Sequence, residues 1–199
     1  MSRLKKNIHR LLLLLLTLGC CLFPRESRAE ETVVPQGGRA PDRFGISAEL
    51  ASVYDPGHDI GFALVTAFGL FDYGKVWHQE RPKELCFKVE GAIGSTFRPE
   101  ARAVASLGML ALYYFDRLAT PQVRPYFEAG IGAIYTDFRV EGQGLRVNFN
   151  PQLGIGAELA QKGGPGGFMA LRMHHLSNGN LYHYNRGVNS LVLQVGRFF

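Results

Sequence analysis

From residue 44 to the end of the chain, apolar and polar residues alternate in eight segments, separated by clusters of Gly, Pro, Asp and Asn. A period of two places successive side chains on opposite faces, which is typical of β-strands. The predicted strands are 44–54, 60–71, 84–97, 101–115, 123–136, 146–160, 167–177 and 188–199. The pattern therefore predicts an all-β fold built from eight antiparallel strands.

The polar face of these segments carries charged residues in mid-strand. In the third segment, Phe87 and Val89 share the apolar face, whereas Lys88 shares the opposite face with Glu90. The charged residues of this face are Glu49, Lys88, Glu90, Glu128, Glu158 and Arg172. Such charges can neutralise one another inside a narrow membrane barrel, but they are costly in the apolar core of a soluble sandwich. We therefore expect an eight-stranded antiparallel transmembrane β-barrel, with a soluble exported β-sandwich as the less favoured fold.

The ends of the segments are rich in aromatic residues. These are Tyr54, Phe71, Tyr113, Tyr114, Phe115, Tyr135, Phe198 and Phe199. Membrane barrels carry girdles of aromatic side chains at the two interfaces, so this placement favours the barrel.

The first 29 residues are predicted to be a cleaved secretory signal peptide and not part of the fold. Basic residues precede an apolar run at 11–23, and Ser27-Arg28-Ala29 has the small-x-small pattern of a cleavage site. Residues 30–43 are predicted to form a periplasmic N-terminal leader, and residues 44–199 the barrel. We expect export to the bacterial outer membrane.

Removal of the signal changes what the charge indicates. Residues 1–29 hold six Lys/Arg and one acidic residue, which accounts for the net charge of +5 of the whole chain. The remainder is close to neutral, so the basic character reports export and no nucleic-acid partner is expected. Beyond the signal only Cys86 remains, so no intrachain disulfide is expected.

The seventh and eighth segments carry the candidate site. Arg172 belongs inside the barrel, so strand parity places Met173, His175 and Ser177 on the outer, lipid-facing surface. Asn189 of the last segment falls on the same surface, near the same end of the neighbouring strand. With a periplasmic N-terminus, the seventh strand runs outward and the site lies at the outer leaflet.

These residue types suit nucleophilic attack on an ester. Two positions apart on a strand, His175 and Ser177 are close enough for a hydrogen bond through which the imidazole accepts the hydroxyl proton. Asn189 is the candidate for the group that orients the far ring nitrogen. The backbone N–H groups of Asn178-Gly179-Asn180 can stabilise a developing oxyanion.

The motif His175-x-Ser177-Asn178, followed by Asn185-x-Gly187 and a polar residue at 189, resembles the PagL-type outer-membrane lipid A deacylases. The resemblance implies hydrolysis of the ester-linked 3-O acyl chain of lipid A, the lipid anchor of lipopolysaccharide, in the outer leaflet. It implies that Ser177 is the nucleophile and His175 the general base, with no metal or organic cofactor.

Two positions depart from the family pattern. Asn178 matches an Asn implicated in oxyanion stabilisation, but where the family has a second donor glycine, this chain has Asn180, with Gly179 one place earlier. Where the family has a Glu as the third catalytic residue, this chain has Asn189. An amide can orient a histidine but stabilises its cation less than a carboxylate does. We expect a slower enzyme, one with a different third residue, or a barrel that has lost activity.

Other interpretations remain open. In a non-enzymatic small barrel with a structural or ligand-binding role, His175 would be an interfacial histidine and Ser177 a loop cap. The sequence also leaves monomer and homodimer open.

Three further polar residues are predicted to have structural roles. His174 is expected to face the interior as a partner of its carboxylates, and its opposite orientation to His175 disfavours a metal site with His183. Asp55 and Asp59 of the first outer loop are interpreted as turn formers.

Overall fold

The computed structural model describes residues 40–78, 80, 82–161 and 164–199, and the predicted signal peptide lies outside these residues. The strands are β1 (Arg43–Asp55), β2 (Gly61–Asp72), β3 (Leu85–Arg98), β4 (Ala103–Tyr114), β5 (Val123–Thr136), β6 (Val147–Phe149), β7 (Gln152–Gln161), β8 (Gly164–Leu176) and β9 (Val188–Phe198). A short helix, α1 (Tyr73–Trp77), follows β2, and a 3-10 turn (Asp116–Leu118) follows β4. No helix in the described ranges is long and apolar enough to cross a membrane.

The strands close into a barrel. Each pairs antiparallel with its neighbours in the order β4-β3-β2-β1-β9-β8-β7-β5, and a β4–β5 pairing completes the ring. Both β6 and β7 pair with β5, so they form one barrel strand interrupted at Asn150-Pro151. Proline has no N–H for a ladder hydrogen bond, which accounts for the break. The eight-stranded antiparallel barrel is confirmed, and strand ends lie within three residues of the predicted ones.

The alternation of side chains divides the chain between two environments. Along β1, buried residues such as Glu49 and Ala51 alternate with exposed ones such as Leu50. The outer surface bears large apolar side chains, and Leu107, for example, is 71% exposed. Such a surface is unfavourable in water and matches the lipid-facing band of a membrane barrel.

The interior has apolar layers at its two ends. We call the end where β8 finishes and β9 begins the outer end. The cluster there includes Val53, Phe62, Leu176 and Val188. The opposite end is filled by an aromatic cluster that includes Phe68, Tyr114, Tyr126, Phe168 and Phe198. These layers leave the middle of the barrel to polar side chains.

A buried ion network fills that middle layer. Arg172 Nε lies 2.5 Å from a Glu128 carboxylate oxygen, and Arg172 Nη1 lies 2.9 Å from Glu90. Lys88 Nζ binds the other Glu128 oxygen at 2.7 Å. Because Arg172 and Glu128 are fully buried, each charge depends on its partners for compensation.

The expectation for His174 is wrong in one respect. It faces the interior as predicted, but neither ring nitrogen has a hydrogen-bond partner among the described residues. The two carboxylates of the ion network, Glu90 and Glu128, are bound by Arg172 and Lys88 instead of by the imidazole.

Replacing Arg172 with Met should strongly destabilise the barrel. The change leaves buried Glu128 and Glu90 short of positive charge, which typically costs about 3–5 kcal/mol. Urea unfolding in lipid vesicles measures the loss. Arg102→Met is the control, because Arg102 is 45% exposed beside Glu100 and such a pair contributes about 1 kcal/mol or less. Equal stability of the two variants would contradict the structural role of the network.

Candidate active site

Two adjacent strands bring His175 and Asn189 together. The residues stand opposite each other in the β8–β9 register, and His175 Nδ1 lies 2.6 Å from Asn189 Oδ1. His175 is exposed, whereas its neighbours His174 and Leu176 are buried. The imidazole therefore lies on the outer surface of the barrel, which also carries the large exposed apolar side chains.

Ser177 directly follows β8 and is half-buried. Its backbone forms two hydrogen bonds with Phe149: Ser177 N–H donates to Phe149 O at 3.1 Å, and Phe149 N–H donates to Ser177 O at 2.8 Å. The expected His175–Ser177 hydrogen bond is not formed among the described side chains. Such bonds are often long in structures without substrate and tighten when it binds. Because Nδ1 is bound to Asn189, Nε2 is the ring nitrogen left for the serine.

The residues after Ser177 form a tight turn. Leu181 N–H donates to Asn178 O at 3.1 Å, and both central residues are left-handed, with φ of 61° at Gly179 and 61° at Asn180. Glycine adopts this conformation without strain, and asparagine tolerates it better than most residues. In the described part of the chain, the N–H groups of Gly179 and Asn180 have no hydrogen-bond acceptor. Both are therefore free to bind a ligand.

Asn178 is placed differently from its two neighbours. It is buried, its N–H donates to Asn185 Oδ1 at 2.7 Å, and its side-chain Nδ2 donates to Tyr184 O at 2.8 Å. Asn185 Nδ2 also donates to Asn180 Oδ1 at 3.0 Å. Asn185 thus binds two residues of the turn, the first (Asn178) and the third (Asn180). The sequence motif pointed to this residue but did not reveal its role.

A second loop supports this turn from the side. The connection 137–146 between β5 and β6 runs along the 182–187 segment. Gly144 N–H donates to Tyr184 O at 2.9 Å, and Arg186 N–H donates to Gly142 O at 2.9 Å. The two loops therefore hold each other at the outer end of the barrel.

Asp55 is the site residue that sequence reasoning missed. The sequence predicts a turn former here, but Asp55 Oδ2 accepts a 2.8 Å hydrogen bond from Asn189 Nδ2. The β1–β9 register shifts between Val53 and Asp55, which leaves Tyr54 as an extra residue. A bulge of this kind turns the following side chain to the opposite face, so Asp55 lies beside Asn189. The sequence signal that could have indicated this role was the amide at position 189 together with an acidic residue, Asp55, on β1, the strand that pairs with β9.

The chain is similar to known outer-membrane proteins over most of its length. Residues 60–197 match the family model described as lipid A 3-O-deacylase (PagL). The crystal structure of the outer membrane enzyme PagL aligns with a TM-score of 0.54 at 22% identity, covering 76% of this chain and 97% of that chain. Neisserial surface protein A aligns with a TM-score of 0.56 at 16% identity, covering 78% and 94%. At these identities the two structures support the barrel fold alone. No curated protein matches the chain.

The family match gives the chain its identity. It spans most of the sequence, from β2 to the end of β9, and includes all of the His175 to Asn189 region. The chain belongs to the lipid A 3-O-deacylase (PagL) family and is an ester hydrolase of the bacterial outer membrane that acts on lipid A.

Proposed function

We propose that this chain removes the 3-O-linked acyl chain of lipid A on the outer barrel surface, with Ser177 as nucleophile and His175 as general base. The hydrogen bond of 2.6 Å between His175 Nδ1 and Asn189 Oδ1 carries the proposal. An amide oxygen only accepts hydrogen bonds, so Nδ1 holds the ring proton and Nε2 keeps its lone pair. A general base acting on the Ser177 hydroxyl needs that arrangement.

The reaction proceeds in two halves. Ser177 Oγ attacks the ester carbonyl while His175 Nε2 takes the hydroxyl proton. The tetrahedral intermediate collapses as His175 returns the proton to the departing alcohol oxygen of lipid A, leaving the acyl chain on Ser177. Water then attacks this ester with His175 again as base, which releases the free fatty acid and restores the serine.

The turn after Ser177 supplies the groups that stabilise negative charge on the carbonyl oxygen. The free backbone N–H groups of Gly179 and Asn180 are assigned this role, since preorganised donors of this kind strongly stabilise the transition state. Asn178, whose backbone N–H and side-chain NH2 group are both engaged, contributes by holding the turn in place.

The apolar rows beside the site suit an acyl-chain substrate. Met173, two residues before His175, is 48% exposed, and Leu191, two residues after Asn189, is 43% exposed. Both lie on the surface that faces lipid. An acyl chain of a neighbouring lipid A molecule can therefore lie along β8 and β9 with its ester linkage at the level of Ser177.

The position of the His175 ring depends on a close approach to Gly187. A Cβ at position 187 would lie 2.8 Å from His175 Cε1, which is shorter than real contacts allow. The imidazole therefore packs directly on the glycine backbone. A larger residue here must displace the ring from Asn189, from Ser177 or from both.

Ser177→Ala should abolish deacylation while the barrel still folds. Loss of the nucleophile typically lowers turnover by about a thousandfold or more. Mass spectrometry of lipid A measures the effect, in cells that carry the native chain or Ser177→Ala at equal barrel abundance. We expect lipid A to lose one hydroxyacyl chain with the native chain but not with Ser177→Ala. The control is Ser95→Ala, which changes an exposed serine on β3 and should act as the native chain does. Identical lipid A with the native chain and Ser177→Ala would favour the non-enzymatic barrel.

Gly187→Ala should lower kcat by about a hundredfold, because a displacement of about 1 Å in a catalytic group has effects of that size. Release of fatty acid from purified lipid A by the refolded barrel gives the rate. The matched control is Gly108→Ala, where the added Cβ meets its nearest atom, Gln152 Nε2, at an ordinary 3.4 Å. Full activity of the Gly187 variant would show that the ring does not need this position.

A further inference from the structure

We propose that Asp55 is a positioning residue of the active site, which acts on His175 through Asn189. The inference rests on the proposed function and deepens it, since it explains how a site with an amide at position 189 keeps a working base. The three residues stand in one row across three adjacent strands. Asp55 is opposite Asn189 in the β1–β9 register, and Asn189 is opposite His175 in the β8–β9 register.

The directions of the hydrogen bonds follow from the chemistry of Asp55. A carboxylate only accepts hydrogen bonds, so the group that Asn189 turns towards Asp55 must be its NH2 group. The 2.8 Å contact from Asn189 Nδ2 to Asp55 Oδ2 meets this requirement. The amide carbonyl then has to face His175, where Oδ1 lies 2.6 Å from Nδ1.

This orientation determines which histidine tautomer is present. Facing a carbonyl, His175 must donate from Nδ1, which leaves Nε2 unprotonated on the side of Ser177. Without Asp55, the amide can turn over and donate to Nδ1 instead. The proton then resides on Nε2, and the ring can no longer accept the serine proton. Asp55 thus selects the productive state of a side chain that it does not touch.

Arg186 holds Asp55 in place. Its guanidinium pairs with Oδ1 of Asp55, the oxygen that Asn189 does not use. Among the described residues, Arg186 and Asn189 are the two that form a hydrogen bond or ion pair with the Asp55 carboxylate. Asp55 is 39% exposed and shares its charge with Arg186, so it stabilises the imidazolium only weakly. Its main contribution is therefore orientation.

The first test measures kinetics. Asp55→Ala should lower kcat on lipid A by about 10- to 100-fold, the usual effect of losing a group that orients a functional ligand, with little change in KM. Asp55→Asn, which keeps the size of the side chain, should act in the same direction. Asp59→Asn is the control, because Asp59 lies in the same loop but forms no hydrogen bond among the described residues.

A second substitution separates positioning from simple loss of structure. Asn189→Glu places a carboxylate directly against His175 and makes an orienting acid at 55 unnecessary. Asp55→Ala/Asn189→Glu should therefore be more active than Asp55→Ala alone. The proposal would be overturned if Asp55→Ala lowered kcat equally in the native chain and in Asn189→Glu, or if it did not lower kcat in the native chain. Persistent activity of Ser177→Ala would instead contradict the proposed function itself.

The tautomer can be observed directly. In ¹⁵N-histidine-labelled barrel in detergent, comparison with His175→Gln identifies the His175 resonances. We expect a protonated Nδ1 and a bare Nε2 in the native chain, and a mixture of both tautomers in Asp55→Ala. An unchanged tautomer in the folded variant would show that Asp55 does not orient the ring.

Discussion

The closed barrel imposes a strict alternation on every strand, and the rest of the structure depends on it. A side chain points either into a narrow interior or out towards lipid, and its parity decides which. Arg172 and His175 lie three residues apart on β8, yet one is fully buried in an ion network and the other is exposed. The proposed catalytic groups therefore occupy a surface that the interior charges do not reach.

The proposed active site lies on this outer surface. Its side chains are ordered by hydrogen bonds whose direction is fixed, from the carboxylate of Asp55 through Asn189 to His175. The turn at Gly179 and Asn180 is also held by hydrogen bonds, since Asn185 binds the Asn178 N–H and the Asn180 side chain. A conventional triad places a carboxylate against the histidine. Here the amide of Asn189 lies against His175, and the carboxylate of Asp55 is separated from the histidine by one more hydrogen bond. In the proposed mechanism this arrangement keeps the productive tautomer of His175 but stabilises the imidazolium less than a direct carboxylate would.

Periodicity predicted the features that depend on parity alone. Strand order, strand ends, the inward ion network and the outward pair His175 and Asn189 all follow from a period of two and a neighbouring register. The position of Asp55 did not follow, because one extra residue in β1 changes its parity and no local composition marks that bulge. The unpaired ring of His174 was also missed, because competition for Glu128 and Glu90 depends on distances across the barrel.

The proposed mechanism requires His175 to activate Ser177 on the outer surface of the barrel. Covalent labelling of the purified barrel in detergent with an alkyl fluorophosphonate, followed by peptide mapping, tests it most directly. The account predicts one phosphonate per chain on Ser177, and loss of this labelling in His175→Ala. Labelling at another serine, or equally fast labelling of Ser177 without His175, would contradict it.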